Sequence, residues 1–156
     1  MINTEAFVRL MDFCCKREIA ITYVDGVIDH AECFGKLGFG LPTVSWMGRP
    51  HGDCREIKLS RSSSFDTLLL MFGHELGHIC TPEAREKMDD ECNAWDWAVH
   101  FFNQTGCVFD KESIKYAIES LRTYEKYWAS HDPRYSPKDK LARESTVAGL
   151  ELLAKK

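Results

Sequence analysis

The sequence lacks a long apolar run, because its longest, LLLMF at positions 68 to 72, is far too short to cross a bilayer. The first residues, MINTEAFVRLMDFCCKRE, lack the basic-then-apolar layout of a secretion signal, since charged residues interrupt them. An excess of positive charge is also lacking: the formal net charge is −4 and the pI is about 5.9, which argues against a broad basic face for nucleic acid. These features predict a soluble, cytoplasmic protein with no membrane segment and no direct contact with nucleic acid.

The seven cysteines include no C-x-x-C pair, and their number is odd. Without a secretion signal, this pattern argues against a disulfide framework, and the spacing gives no support for a zinc site made of four thiolates. We therefore expect reduced cysteines that are mostly buried and act as small hydrophobic residues. No repeat, low-complexity tract or linker divides the 156 residues, so the length and the 44% hydrophobic content predict one domain over residues 1–156.

Hydrophobic periodicity predicts an α+β fold with several helices and a small mixed or antiparallel sheet of about three strands. The strand REIKLS alternates polar and apolar residues, and we interpret it as an edge strand, either an ordinary one or one that pairs with an extended substrate. The predicted strands are 19–24, TVSWM at 43–47 and REIKLS at 55–60. The predicted helices are 3–17, 65–79, one that begins between 83 and 89 and ends at Phe102, one capped by Asp110, and one from Pro137 toward Leu153.

The segment MFGHELGHIC within the second predicted helix contains two histidines four positions apart. On a helix, positions i and i+4 share one face, so His74 and His78 can direct both imidazoles to one metal ion. Glu75 lies about 100° around the helix from His74, beside that ion, where a general base can take a proton from water. The alternative is a helix with two core or surface histidines and a capping glutamate.

A catalytic zinc ion usually takes three protein ligands and keeps one position for water. The metzincin pattern would supply the third ligand through glycine at 81 and histidine at 84, but Thr81 and Ala84 occupy these positions and exclude that class. His100 is possible by sequence distance, yet it lies about 180° from Glu91 on the same predicted helix.

Glu91 is the favoured third ligand because it interrupts the apolar stripe of the next helix. At that core-facing position an unpaired carboxylate is costly, so it needs an arginine, a hydrogen-bond network or a metal ion. The competing interpretation is a surface glutamate in a helix that begins later. The stripe consists of Ala84, Met88, Trp95, Ala98 and Phe102.

The segment FDTLLLMFGHELGHIC, followed by ECNAWDWA, resembles the ImmA/IrrE-type metallopeptidase family, in which HExxH precedes a helix with the pattern E-x-x-A-x-x-aromatic-Ala. The likeness covers residues 54 to 100 well and the N-terminal third loosely. The sequence departs from the family pattern at two points. The distance between His78 and Glu91 is short, and Trp95 occupies a position where an asparagine is common. The resemblance implies one zincin-like, gluzincin-type domain with a single Zn²⁺, ligands His74, His78 and Glu91, and Glu75 as base.

The family resemblance also implies a function and a partner. Members from bacteria, phages and mobile elements often cleave a helix-turn-helix repressor, so we expect a zinc-dependent endopeptidase that hydrolyses a peptide bond in a specific protein partner. One alternative is a metal-binding anti-repressor that sequesters its partner without cleavage. Another is a helical protein with a purely structural zinc ion or none. The presence of Glu75 favours the enzyme over the structural role, since a structural site has no use for a base.

Overall fold

Five helices account for most of the described residues, and a small sheet lies beside them, so the fold class is α+β. The computed structural model describes residues 2–24, 43–46, 55–60, 64–81, 87–131 and 137–154. No helix in these ranges combines the length and the apolar composition that a membrane span requires. The helices are α1 (Ile2–Lys16), α2 (Phe65–Cys80), α3 (Lys87–Thr105), α4 (Lys111–His131) and α5 (Pro137–Leu152), and the strands are β1 (Ile19–Val24), β2 (Thr43–Trp46) and β3 (Arg55–Ser60).

The sheet is mixed, with the strand order β1-β3-β2. Strand β3 pairs in parallel with β1, where Ile21 lies opposite Ile57, and antiparallel with β2, where Val44 lies opposite the same residue. The predicted alternation along β3 is confirmed, because Ile57 and Leu59 are buried and Lys58 between them is partly exposed. The prediction that β3 is an edge strand is wrong: both of its backbone edges are paired, so it has no edge left for a substrate.

Helix α2 begins where the sequence predicts, because Ser64 caps it. The Ser64 hydroxyl accepts a hydrogen bond from the backbone N–H of Thr67 at 3.2 Å, which satisfies one of the donors that a helix start leaves open. At the other end, the N–H and the hydroxyl of Thr81 both donate to the carbonyl oxygen of Gly77, at 2.9 and 2.7 Å. Helix α2 therefore ends at Cys80, two residues after the histidine pair.

Helix α3 continues to Thr105, three residues beyond the predicted end at Phe102. The helix stops at Gly106, whose φ of +70° is the left-handed conformation that glycine adopts without strain. The N–H of Cys107 donates to the carbonyl of Phe102, and the N–H of Gly106 donates to that of Asn103, which together form a Schellman motif. The prediction ended the helix with its apolar stripe, whereas the backbone continues through exposed polar residues to the glycine.

The helices and the sheet share one hydrophobic core. Its largest fully buried side chains come from every helix and from β3, and include Leu10, Ile57, Phe72, Trp95, Phe102, Leu121 and Leu150. Cys14, Cys92 and Cys107 are buried, as predicted for cysteines that behave as hydrophobic residues, whereas Cys15 is exposed. Burial, together with the nearby Cys80, raises the pKa of the Cys14 thiol to about 12. Cys33 and Cys54 lie outside the described residues.

Candidate metal centre

Helix α2 presents His74 and His78 on one face, one turn apart. Their Nε2 atoms lie 3.1 Å from each other, and the two rings meet edge to face with centroids 4.5 Å apart. The side chain of His74 is 4% exposed and that of His78 is 14% exposed. The apolar run before the pair, Leu69 to Phe72, buries this part of the helix, so both imidazoles lie in the protein interior with an opening toward solvent at His78.

Helix α3 brings Glu91 to the same point. Residues 82–86, which link the two helices, lie outside the described ranges. Glu91 Oε2 lies 3.3 Å from His74 Nε2, and Glu91 Oε1 lies 3.5 Å from His78 Nε2. The carboxylate is buried, with 7% of the residue exposed. The predicted core-facing position is thus confirmed, and Trp95, Ala98 and Phe102 of the same stripe are fully buried. Ala84 and the side chain of Met88 lie outside the description.

Close contact between α2 and α3 makes this meeting possible. A Cβ atom added to Gly77 would lie 2.2 Å from the carbonyl oxygen of Ala94, and one added to Gly73 would lie 2.7 Å from the ring of Phe102. Glycine at position 77 lets the two backbones approach closely, and glycine at position 73 leaves room for the ring of Phe102. Gly77 lies between Glu75 and His78 in sequence, and Ala94 lies one turn after Glu91, so the closest approach falls at the histidine and glutamate positions.

The three donor atoms have the spacing of ligands around one ion. The two imidazole Nε2 atoms are 3.1 Å apart, and each lies 3.3 or 3.5 Å from one of the two Glu91 carboxylate oxygens. Two ligands held about 2.0–2.2 Å from a tetrahedral zinc ion lie about 3.3–3.6 Å apart, so only small adjustments would bring all three into coordination. His74, His78 and Glu91 therefore form a buried group that can bind a metal ion.

A bound cation would account for the buried position of the Glu91 carboxylate better than a metal-free core would. Within the described part of the chain, its Oε2 atom is buried and accepts no hydrogen bond. Burying a carboxylate without a hydrogen-bond donor or a charge partner costs several kcal/mol of folding free energy. Removing one partner of a buried ion pair, which leaves such a charge, costs about 3 kcal/mol or more. A hydrogen bond between the two imidazoles would occupy their Nε2 atoms but would give this carboxylate oxygen no donor. A divalent cation between all three groups offsets the cost.

The other two residues considered for the site occupy different positions. Glu75 is buried in α2 beside His74, with 6% of the residue exposed. His100 is exposed near the end of α3, where its Nε2 lies 2.9 Å from the side-chain nitrogen of Gln104. His100 therefore does not join the group formed by His74, His78 and Glu91.

Trp95 contacts the candidate metal centre, which the sequence did not indicate. Its ring stacks on the imidazole of His74, with centroids 4.2 Å apart and an angle of 23° between the planes. The apolar stripe of this helix predicts that Trp95 packs in the core, and it is fully buried. Its distance of four residues from Glu91, which places both on one face of α3, is the signal that relates it to the site.

Comparison with known proteins identifies no relative: no family model matches the chain, and neither curated proteins nor solved structures give a significant match.

Proposed function

We propose that this protein is a zinc-dependent endopeptidase with a zincin-like fold, related to the ImmA/IrrE-type metallopeptidases. The observation that supports this most directly is the convergence of His74, His78 and Glu91 from two helices, with their donor atoms 3.1 to 3.5 Å apart. The buried Glu75, which follows His74 in sequence, adds the group that distinguishes a hydrolytic site from a structural one.

The donor set favours zinc. Two imidazole nitrogens suit zinc and neighbouring transition metals, whereas magnesium and calcium prefer sites made only of oxygen atoms. Three protein ligands are also the number found in catalytic zinc sites, which keep one position for water or substrate, while structural sites are closed by four. The partly exposed side of the centre, at His78, agrees with access from solvent.

Glu75 has the role of general base and then general acid in this proposal. When bound, zinc supplies the Lewis acidity that polarises a peptide carbonyl and acidifies water. The carboxylate of Glu75 accepts a proton from the attacking water and delivers it to the nitrogen of the leaving amine. Burial of Glu75 keeps this proton transfer out of bulk solvent, while His74, His78 and Glu91 hold the ion.

The substrate in this proposal is a peptide bond in a specific protein partner, with a helix-turn-helix repressor as the partner that the resemblance suggests. The proposed location is the cytoplasm, where such a repressor is found and where buried thiols such as those of Cys14, Cys92 and Cys107 stay reduced. Strand β3 plays no part in substrate pairing, because both of its edges are occupied.

The test compares the wild type with Glu75→Gln, which keeps the shape of the side chain but cannot accept a proton. Both proteins are loaded with zinc and incubated with a peptide library from a digested proteome and with the helix-turn-helix protein encoded nearest the gene. We expect new peptide termini by mass spectrometry with the wild type, and at least about a 10²-fold lower rate with the variant. Glu119→Gln, on the exposed face of α4, is the matched control and should cleave like the wild type.

Each outcome of this experiment has a clear meaning. Equal cleavage by the wild type and Glu75→Gln would exclude Glu75 as the base. Binding of the repressor to both proteins without any cleavage would replace the peptidase with a sequestering anti-repressor. Zinc content is measured on the same samples, so that a loss of activity in Glu75→Gln is separated from a loss of metal.

A further inference from the structure

Trp95 is the aromatic residue of α3 that lies closest to the candidate metal centre. It follows Glu91 by one helical turn, is fully buried, and lays its ring against the imidazole of His74 at a centroid distance of 4.2 Å. Trp97, two positions later, lies instead against Phe13 and Phe101, at 6.2 and 5.8 Å. Two neighbouring tryptophans of the same helix therefore have different surroundings, and only one of them contacts a metal ligand in the described contacts.

The stacking contact restricts the orientation of the His74 ring. The torsion that rotates an imidazole about its Cβ–Cγ bond has a broad energy profile, so a histidine needs neighbours to fix the direction of its Nε2 atom. At His74, the indole covers one face of the ring and the edge-on ring of His78 lies at 4.5 Å. Rotation of the imidazole by a large angle would drive its edge into the indole plane.

The indole ring, rather than its polar N–H group, supplies this restraint. The Nε1 atom of Trp95 is buried and has no hydrogen-bond partner among the described residues. Metal-binding histidines are commonly oriented by a hydrogen bond to the nitrogen that does not bind the metal, and loss of such a partner typically weakens metal binding about 10–100-fold. A flat aromatic surface can orient the same ring through contact with its face.

We propose that Trp95 is a positioning residue of the metal centre. Its indole plane holds the His74 imidazole so that Nε2 is directed at the point it shares with His78 and Glu91, which preorganises the site for its ion. This inference rests on the proposed metal centre and goes beyond it by assigning zinc affinity to a residue that is neither a ligand nor a base. A merely structural Trp95 would stabilise the fold without affecting the geometry at the metal.

The experiment uses the full chain and three substitutions in α3. Trp95→Met fills much of the same volume without a flat face, Trp95→Phe keeps an aromatic face without the N–H, and Trp97→Met is the matched control for loss of a packed tryptophan. Zinc affinity is measured by competition with a chromophoric chelator, and the geometry of the site by the absorption spectrum of bound Co²⁺. Circular dichroism and thermal unfolding show whether each variant folds.

We expect Trp95→Met to bind zinc about 10–100-fold more weakly than the wild type and to change the Co²⁺ spectrum. Trp95→Phe should stay within about threefold of the wild-type affinity, because it retains the stacking face. Trp97→Met should lose stability but keep the affinity and the spectrum. Wild-type affinity in a folded Trp95→Met protein, or equal loss of affinity in Trp97→Met, would overturn the inference.

A second measurement does not depend on the folding of Trp95→Met. The wild type is labelled with 5-fluorotryptophan, and the Trp95 signal is identified by its absence from Trp95→Phe. Zinc should shift this ¹⁹F signal more than that of Trp97, and an unmoved Trp95 signal would overturn the inference. If the wild type binds no zinc, this inference and the proposed function fail together; if it binds zinc and only the Trp95 results fail, the proposed function stands.

Discussion

In the proposed metal centre each of the three residues offers one ligand atom, so a single substitution should decide whether an ion binds. His78→Ala should weaken zinc binding by at least about 100-fold. The free energy of zinc binding to protein sites is about 10–16 kcal/mol, which is about 3 kcal/mol or more for each of three ligands. His100→Ala is the matched control, because His100 is exposed on α3 and bonds to Gln104. Elemental analysis after gel filtration measures the zinc content of each protein.

Equal zinc content in His78→Ala and the wild type would contradict coordination by this group. A loss of zinc in His100→Ala would indicate a different ligand set. The exposed position of His100 also makes it a suitable surface substitution, because exposed side chains away from special features usually change stability by less than about 0.5 kcal/mol.

The sequence predicted Glu91 because a carboxylate in an apolar stripe is a strong local signal. The helical period places Trp95, Ala98 and Phe102 on one face of α3, and all three are buried. Glu91 lies on the same face and is therefore buried with them. The contact between Trp95 and His74 could not be predicted in the same way. Periodicity identifies the buried face of a helix, but the particular ring that a buried side chain meets depends on how two helices cross.

At the scale of elements, the crossing of α2 and α3 depends on Gly77. We expect Gly77→Ala to destabilise the protein by about 1–3 kcal/mol and to weaken zinc binding, because the added Cβ would lie 2.2 Å from a backbone atom of α3. This loss outweighs the gain of about 1 kcal/mol that alanine brings to a helix interior. Urea unfolding measures stability, and chelator competition measures zinc affinity.

Gly149→Ala in α5 is the matched control for this prediction. A Cβ added there would lie 3.2 Å from the Val99 side chain, which can move, so the substitution should be neutral or slightly stabilising and leave zinc affinity unchanged. If Gly77→Ala were as stable as Gly149→Ala and bound zinc as tightly as the wild type, the close approach of the two helices would not be needed for the site.

Local signals predicted the elements well, and pairing between distant segments was harder to predict. The strands at 19–24 and 55–60 and the helix starts at Phe65, Lys111 and Pro137 agree with the structure, because capping residues and hydrophobic period act within a few residues. The central position of β3 was missed. A half-buried alternation occurs in edge and central strands alike, so the sequence of one strand does not show how many partners it has.

At the scale of the whole molecule, an ion held by α2 and α3 should stabilise the fold. At a free zinc concentration 100 times the Kd, binding contributes about 2.7 kcal/mol. For a chain of this size, that energy corresponds to a Tm higher by about 5–10 °C. Scanning calorimetry with zinc and with an excess of chelator measures the difference.

The same scans on His78→Ala provide the control for chelator effects that do not involve the site. The variant should unfold at one temperature in both conditions, near that of the chelator-treated wild type. A wild-type Tm that does not respond to chelator or to added zinc would show that α2 and α3 hold together without a metal, and it would contradict the fit between the buried Glu91 carboxylate and a cation.

The parallel pairing of β1 with β3 has a consequence for the order of folding. It matches Ile19 with Arg55 and so closes a long stretch of chain, whereas His74 and Glu91 are close in sequence. Closing a longer loop costs more entropy, and contacts between distant segments form more slowly. We therefore expect that, when the full chain refolds, the two helices that supply the donor atoms associate before the sheet completes, which brings the ligands together early.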